Sequence, residues 1–180
     1  MERRGKVKSS HESFLHHFEE CITEKYALKG KAAQELLAPK ENIKIRIQCK
    51  GQYLLYTFDK DGEELFPFFK NVSDLKIKAD YLIIKEHNGK PFAFIIELKK
   101  NKGNPSKQIE ATKVFVEFLI SNIDRIKKSG YKQELTLRGI KYSKLSRDRN
   151  RKKGHLLAKY DMLGNYDLRG DTLHLDRFLN

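Results

Sequence analysis

The stretch DYLIIKEH (80–87), NG (88–89) and KPFAFIIELK (90–99) decides the fold. Asn-Gly between two apolar runs is a strong hairpin signal, because both residues tolerate the positive φ of a two-residue type I′ turn. With Asn88 and Gly89 in the loop, His87 pairs with Lys90, and the same register sets Asp80 opposite Glu97. Alternation then places Asp80, Leu82 and Ile84 on one face with Ala93, Ile95, Glu97 and Lys99. Tyr81, Ile83, Phe92, Phe94, Ile96 and Leu98 take the other face. Both faces are apolar in mid-strand, the pattern of a central hairpin covered on both sides. Two carboxylates and one amine are therefore expected together at one end of a buried sheet.

Working outward, Ser9-Ser10-His11-Glu12 offers a helix start, and Phe14, Leu15, Phe18 and Ile22 recur at helical spacing up to about Tyr26. Ile43 to Gln48 and Tyr53 to Phe58 read as strands around Lys50-Gly51, so a second hairpin is expected there, with a turn following at Asp61-Gly62. On the other side, Asn104-Pro105 opens a long helix that runs to about Lys128 and closes at Gly130. Leu135 to Tyr142 is a strand in which Gly139 reads as a bulge. His155 to Met162 and Thr172 to Leu175 are weaker strand signals. Helix, hairpins, helix and strands in this order predict an α/β (α+β) domain with a central mixed β-sheet flanked by helices, without internal repeats or a dividing linker.

The composition agrees with one folded domain over residues 1–180. The chain has 37 Lys and Arg against 24 Asp and Glu, a net charge of +13, yet 39% of its residues are apolar, with 11 Phe and 8 Tyr. Disordered basic chains lack that apolar content. A cationic folded surface takes a polyanion as its default partner, either nucleic acid or an acidic membrane. No apolar run approaches the ~20 residues of a membrane span, and MERRGKVKSSHES has no signal-peptide character, so a cytoplasmic protein without a membrane partner is expected. Cys21 and Cys49 lie far apart and read as ordinary thiols.

The opposed carboxylates carry the chemical expectation. Cross-strand Cβ atoms lie about 5 Å apart, where two like charges repel by roughly 3 kcal/mol at an effective dielectric near 20. A divalent cation reverses that sign, and hard oxygen ligands suit Mg²⁺ or Mn²⁺. Lys99, two residues beyond Glu97 on the same face, would hold its ammonium close to a water or a phosphate at that ion. The competing reading leaves Asp80 and Glu97 as strand-end residues, each paired with a lysine in solvent. His11, His16 and His17 lack a further ligand at useful spacing and read as surface histidines.

Asp80, a 16-residue gap, and Glu97-Leu98-Lys99 closing an apolar strand resemble the PD-(D/E)xK nuclease superfamily, which includes restriction endonucleases, Holliday junction resolvases and RecB-type nucleases. In that family a Glu-bearing helix precedes the sheet, the Asp and the ExK lie on adjacent strands, and a helix follows. The resemblance covers about residues 10–143, a nuclease-like core, and leaves 144–180 as a basic C-terminal extension. Ala79 stands where the family name has Pro. The resemblance implies a restriction-endonuclease-like sheet and Mg²⁺-dependent hydrolysis of phosphodiester bonds. Asp80 and Glu97 would bind the metal with the Leu98 carbonyl, and Lys99 would position or deprotonate the attacking water. For the helix carboxylate, Glu12 and Glu19 lie about 20° apart at the border of the apolar face, with Glu12 preferred. Gln108 matches a Gln that RecB-like members bring to the site, although QIEAT lacks the Tyr expected four residues later.

Charge is uneven along the chain. Arg138, Lys141, Lys144, Arg147, Arg149, Arg151, Lys152, Lys153 and Lys159 face a single acid, Asp148, a local net of +8. Lys99, Lys100, Lys102 and Lys107 form a second group directly after the motif. Such clusters bind phosphates by releasing counterions, so DNA is the expected partner and RNA the alternative polyanion. Tyr142 and Tyr160 could stack on bases or simply pack. The rival to an enzyme is a catalytically inactive member of the same fold that binds DNA or RNA, or serves as a subunit of a larger complex. Small nucleases of this type often form homodimers, but no residue marks an interface.

Overall fold

The computed structural model describes residues 13–58, 60, 64–99, 105–143 and 160–180. Its centre is the hairpin of β5 (Tyr81–His87) and β6 (Lys90–Lys99), turned by Asn88 and Gly89 at φ 51° and 75°. His87 pairs with Lys90 and the ladder runs unbroken to Tyr81 and Ile96, which is the expected register. Two other strands extend it on the β5 side: β4 (Leu54–Tyr56) pairs with β5, and β1 (Ala27–Leu28) pairs with β4, all antiparallel. On the far side β7 (Thr136–Ser143) lies parallel to β6, and β8 (Asn165–Leu168) lies parallel to β7. The result is a six-stranded mixed sheet in the order β1-β4-β5-β6-β7-β8. The fold is α+β.

Each face of the hairpin is covered by a different layer. On one side, α1 (Phe14–Cys21) and α2 (Ser106–Lys127) pack over Leu82, Ile84, Ala93 and Ile95. Helix α2 does so through a stripe of Ile109, Thr112, Val116, Ile120 and Ile123, spaced three and four residues apart. On the other side Ile83, Phe94, Ile96 and Leu98 meet a small second sheet of β2 (Glu35–Ala38), β3 (Ile43–Gln48) and β9 (Thr172–His174). The Tyr81 phenol fastens the two sheets, donating to the Leu37 carbonyl at 2.7 Å and accepting its N–H at 3.0 Å.

Several local expectations are corrected. Residues 43–48 and 53–58 do not form a hairpin: β3 pairs with β2 and β9, whereas β4 joins the large sheet. The connection between them is held by the buried Lys85, which donates to the carbonyls of Lys50 (2.7 Å) and Gln52 (3.3 Å), and by Asp176, which accepts the Lys50 N–H at 3.0 Å. Helix α1 ends at Cys21, before the β-branched pair Ile22-Thr23, and Tyr26 instead packs its ring on Phe58. The cap of α1 is Ser13, whose hydroxyl accepts the His16 N–H; the expected start at 9–12 lies outside the described residues, as do Asp61-Gly62 and Asn104. Helix α2 stops at Lys127 with Lys128 left-handed at φ 54°, and Gly130 opens the short α3 (Tyr131–Glu134). Gly139 makes no bulge, since β6 and β7 stay in one register from Phe92 and Thr136 to Lys99 and Ser143. Of the expected strand at 155–162, residues 155–159 lie outside the described residues and 160–162 are not a strand; β8 begins at Asn165. Among the described residues no helix is long and apolar enough to cross a membrane.

Candidate functional site

Asp80 and the last residues of β6 stand at the open end of the hairpin, opposite its turn. The half-buried Asp80 carboxylate accepts the Leu98 N–H at 2.6 Å, which ties the residue before β5 to the last residues of β6. Its backbone is fixed from the helical side as well: the buried Thr112 hydroxyl of α2 accepts the Ala79 N–H at 2.7 Å. Glu97 is buried, 5% exposed, on the helix-covered face. Lys99, one third exposed, places Nζ 3.7 Å from Glu97 Oε1. Extending the Tyr81–Ile96 ladder by one residue sets Asp80 opposite Glu97, so Asp80, Glu97 and Lys99 stand at the same end of the hairpin, at a boundary between core and solvent.

Two carboxylates are an oxygen-only donor set, and the adjoining Leu98 carbonyl is a third hard donor in sequence. That chemistry fits Mg²⁺ or Mn²⁺, which keep several waters, better than a metal that needs a full protein cage. Among the described residues no group of three or more His, Cys, Asp or Glu side chains is placed to hold a metal ion.

The helix carboxylates separate along α1. The Phe14 N–H donates to Glu86 Oε2 at 2.8 Å, so the helix starts beside the hairpin turn. Glu86 stands six residues from Asp80, about 20 Å along a strand. Farther on, Phe18 packs on Tyr56, which pairs with Leu82, and the exposed Glu19 acts on the same Tyr56 phenol. Burial, chiefly, and then Glu19 raise that phenol above its ordinary value. Glu12 lies outside the described residues, and Glu19 stands in the last turn of α1 beside Glu20. Gln108 is half-buried in the first turn of α2, after the motif. His16 is exposed, as expected, whereas His17 is half-buried, with Nδ1 2.7 Å from the Tyr131 hydroxyl.

The basic residues fare differently from one another. Lys100, Lys102, Lys144, Arg147, Arg149, Arg151, Lys152, Lys153 and Lys159 lie outside the described residues. Lys107 pairs with Asp74 at 2.7 Å. The Arg138 guanidinium sits 4.7 Å from the centre of the Tyr160 ring. Lys141 is the strand neighbour of Glu97 and binds Asp161 at 2.8 Å and Asp167 at 3.5 Å. Burial by itself would lower the Lys141 ammonium, but the two carboxylates outweigh it and hold it above the usual lysine value. Tyr142 is a core residue and Tyr160 packs edge-on against Tyr166 and Phe178, so both serve packing.

Sequence reasoning missed Thr112, Glu86 and the carboxylate pair around Lys141. Thr112 had one visible signal, a lone hydroxyl on the otherwise apolar stripe of α2. Glu86 and Asp161 act across 72 and 20 residues of chain, and nothing local marks them. No protein-family model, curated protein or solved structure matches the chain.

Proposed function

We propose that the chain is a metal-dependent nuclease of the PD-(D/E)xK kind, which hydrolyses phosphodiester bonds in DNA. The observation that carries this reading is the convergence of Asp80, Glu97 and Lys99 at one end of a buried hairpin, with the Leu98 amide on Asp80 and the Lys99 ammonium beside Glu97. Asp80, Glu97 and the Leu98 carbonyl would hold Mg²⁺ or Mn²⁺, with Glu12 or Glu19 as the helix carboxylate. Such an ion supplies Lewis-acid polarisation of the phosphodiester and acidifies bound water. The protein's own part is positional and electrostatic. Thr112 and the Leu98 amide fix where Asp80 stands. Burial of Glu97 keeps its charge poorly screened, which strengthens its pull on a cation. Lys99, beside Glu97, would orient the attacking water and offset charge that builds on the phosphate oxygens.

The test is cleavage of supercoiled plasmid and of labelled oligonucleotides with Mg²⁺ or Mn²⁺. Wild-type protein should cut, and Glu97→Ala and Lys99→Ala should each lose about a hundredfold or more in rate, the scale of a positioned acid–base or electrostatic group. Cleavage that survives both substitutions at the wild-type rate would overturn the proposal. A protein that binds DNA equally well with and without Mg²⁺ and never cuts would instead be a non-catalytic binder.

A further inference from the structure

A cavity of about 340 Å³ lies beyond the carboxyl end of β8, lined by Tyr166, Arg169, Asp171, His174, Arg177 and Phe178 among others. Its walls come from three elements: the end of β8, the turn through Gly170 (φ 103°) into β9, and the 3-10 turn Leu175–Phe178. Arg169 and Arg177 are exposed and His174 is half-buried, against one acid, Asp171. Tyr166 and Phe178 meet edge-to-face, with ring centres 5.0 Å apart, and form an aromatic wall. None of these residues belongs to the basic segments marked in the sequence.

The register relates this cavity to the carboxylate site. Leu98 of β6 pairs with Tyr142 of β7, which in turn pairs with Leu168 of β8. Neighbouring strands are about 4.8 Å apart, so Leu168 lies about 10 Å from Leu98 along one row of the sheet. Asp171 follows Leu168 by three residues, so this lining residue stands just past the end of that row. Glu97 and Lys99 belong to the helix-covered face, whereas Tyr166 and Phe178 pack on the other, so a strand joining the two sites would pass around the carboxyl ends of β6, β7 and β8.

We infer that this cavity is a subsite for a nucleotide phosphate, in which Arg169 and Arg177 grip the phosphate and Tyr166 offers a face to the sugar or base. The inference rests on the proposed nuclease reading for its biological ligand, since the phosphate would belong to the same strand that reaches Asp80 and Glu97. The chemistry supports it independently. Two guanidiniums present planar forks of donors that match phosphate oxygens, and a volume of this size accepts a mononucleotide. Asp171 opposes an anion in this cavity, so the two arginines together must outweigh it.

Titration of the full chain with thymidine monophosphate, thymidine and inorganic phosphate, followed by amide NMR, tests this directly. The monophosphate and inorganic phosphate should shift amides within 166–178, and thymidine should not. Arg169→Ala with Arg177→Ala should weaken thymidine monophosphate about tenfold or more and reduce the salt dependence of oligonucleotide binding by about two ions. Where plasmid is cut, the same double variant should raise KM and leave kcat nearly unchanged. Shifts confined to amides outside 166–178, or an affinity unchanged in the double variant, would overturn the subsite. Phosphate binding that is lost in the variant, in a protein that cuts no substrate, would overturn the nuclease reading and keep the subsite.

Discussion

At the scale of single residues, the candidate site depends on buried polar groups that are hydrogen-bonded. Thr112 is the clearest case, 3% exposed, with its hydroxyl accepting the Ala79 N–H just before Asp80. Thr112→Val keeps the shape and removes the acceptor, so a buried N–H loses its partner at about 1–3 kcal/mol. Thr112→Ser keeps the acceptor and should restore most of that stability. Urea denaturation distinguishes the two; equal midpoints for Val and Ser would show that the hydroxyl does not anchor this segment. If the Asp80 backbone depends on it, cleavage by Thr112→Val should also fall while that by Thr112→Ser is retained. Lys85 of β5 is the same kind of residue: it is 3% exposed, and its ammonium is met by the Lys50 and Gln52 carbonyls, where strand alternation alone predicts an apolar side chain.

At the scale of elements, what was legible in the sequence was what is local. The β5–β6 hairpin follows from Asn88-Gly89 and strict alternation, and both its register and the split of its two faces are as read. Asp80, Glu97 and Lys99 inherit their convergence from that register. The β3–β4 pairing failed because Lys50-Gly51 resembles a turn, while the true partners of β3 lie in β2 and in β9, more than a hundred residues later. A signal was present: Ile43-Lys-Ile-Arg-Ile-Gln alternates strictly and suits a layer with one wet face, whereas Leu54-Leu-Tyr is continuously apolar and suits a covered sheet. Gly139 was misread for a related reason. It gives up its side chain to a close approach, since a Cβ there would stand 2.7 Å from Ile109 Cγ2 of α2 and collide with the Asn165 amide oxygen of β8. Gly139→Ala should therefore destabilise the protein by about 1–3 kcal/mol through overpacking. A denaturation midpoint unchanged from wild type would show that α2 and β8 can part at no cost.

At the scale of the whole molecule, the question is which part of the +13 charge is available to a polyanion. Much of the basic charge in the described residues is matched locally: Lys107 by Asp74, Lys141 by Asp161 and Asp167, Lys127 by Glu20, Lys113 by Glu110. A lysine already beside a carboxylate gains less from a phosphate, because the new contact displaces or competes with an existing one. The segment with Arg147, Arg149, Arg151, Lys152 and Lys153 contains one acid, Asp148, so its sequence supplies no comparable neutralisation. Each phosphate neutralised contributes a slope of about −0.9 to log K against log salt on duplex DNA. Replacing those five residues by Gln should therefore flatten the slope by several units, up to about four and a half if all five touch phosphates. Lys107→Gln should change it by less than one. Fluorescence anisotropy of a duplex oligonucleotide from low to moderate salt measures both. A slope that responds to Lys107 and not to the five-residue variant would place the DNA on the α2 side of the sheet and away from the late basic segment.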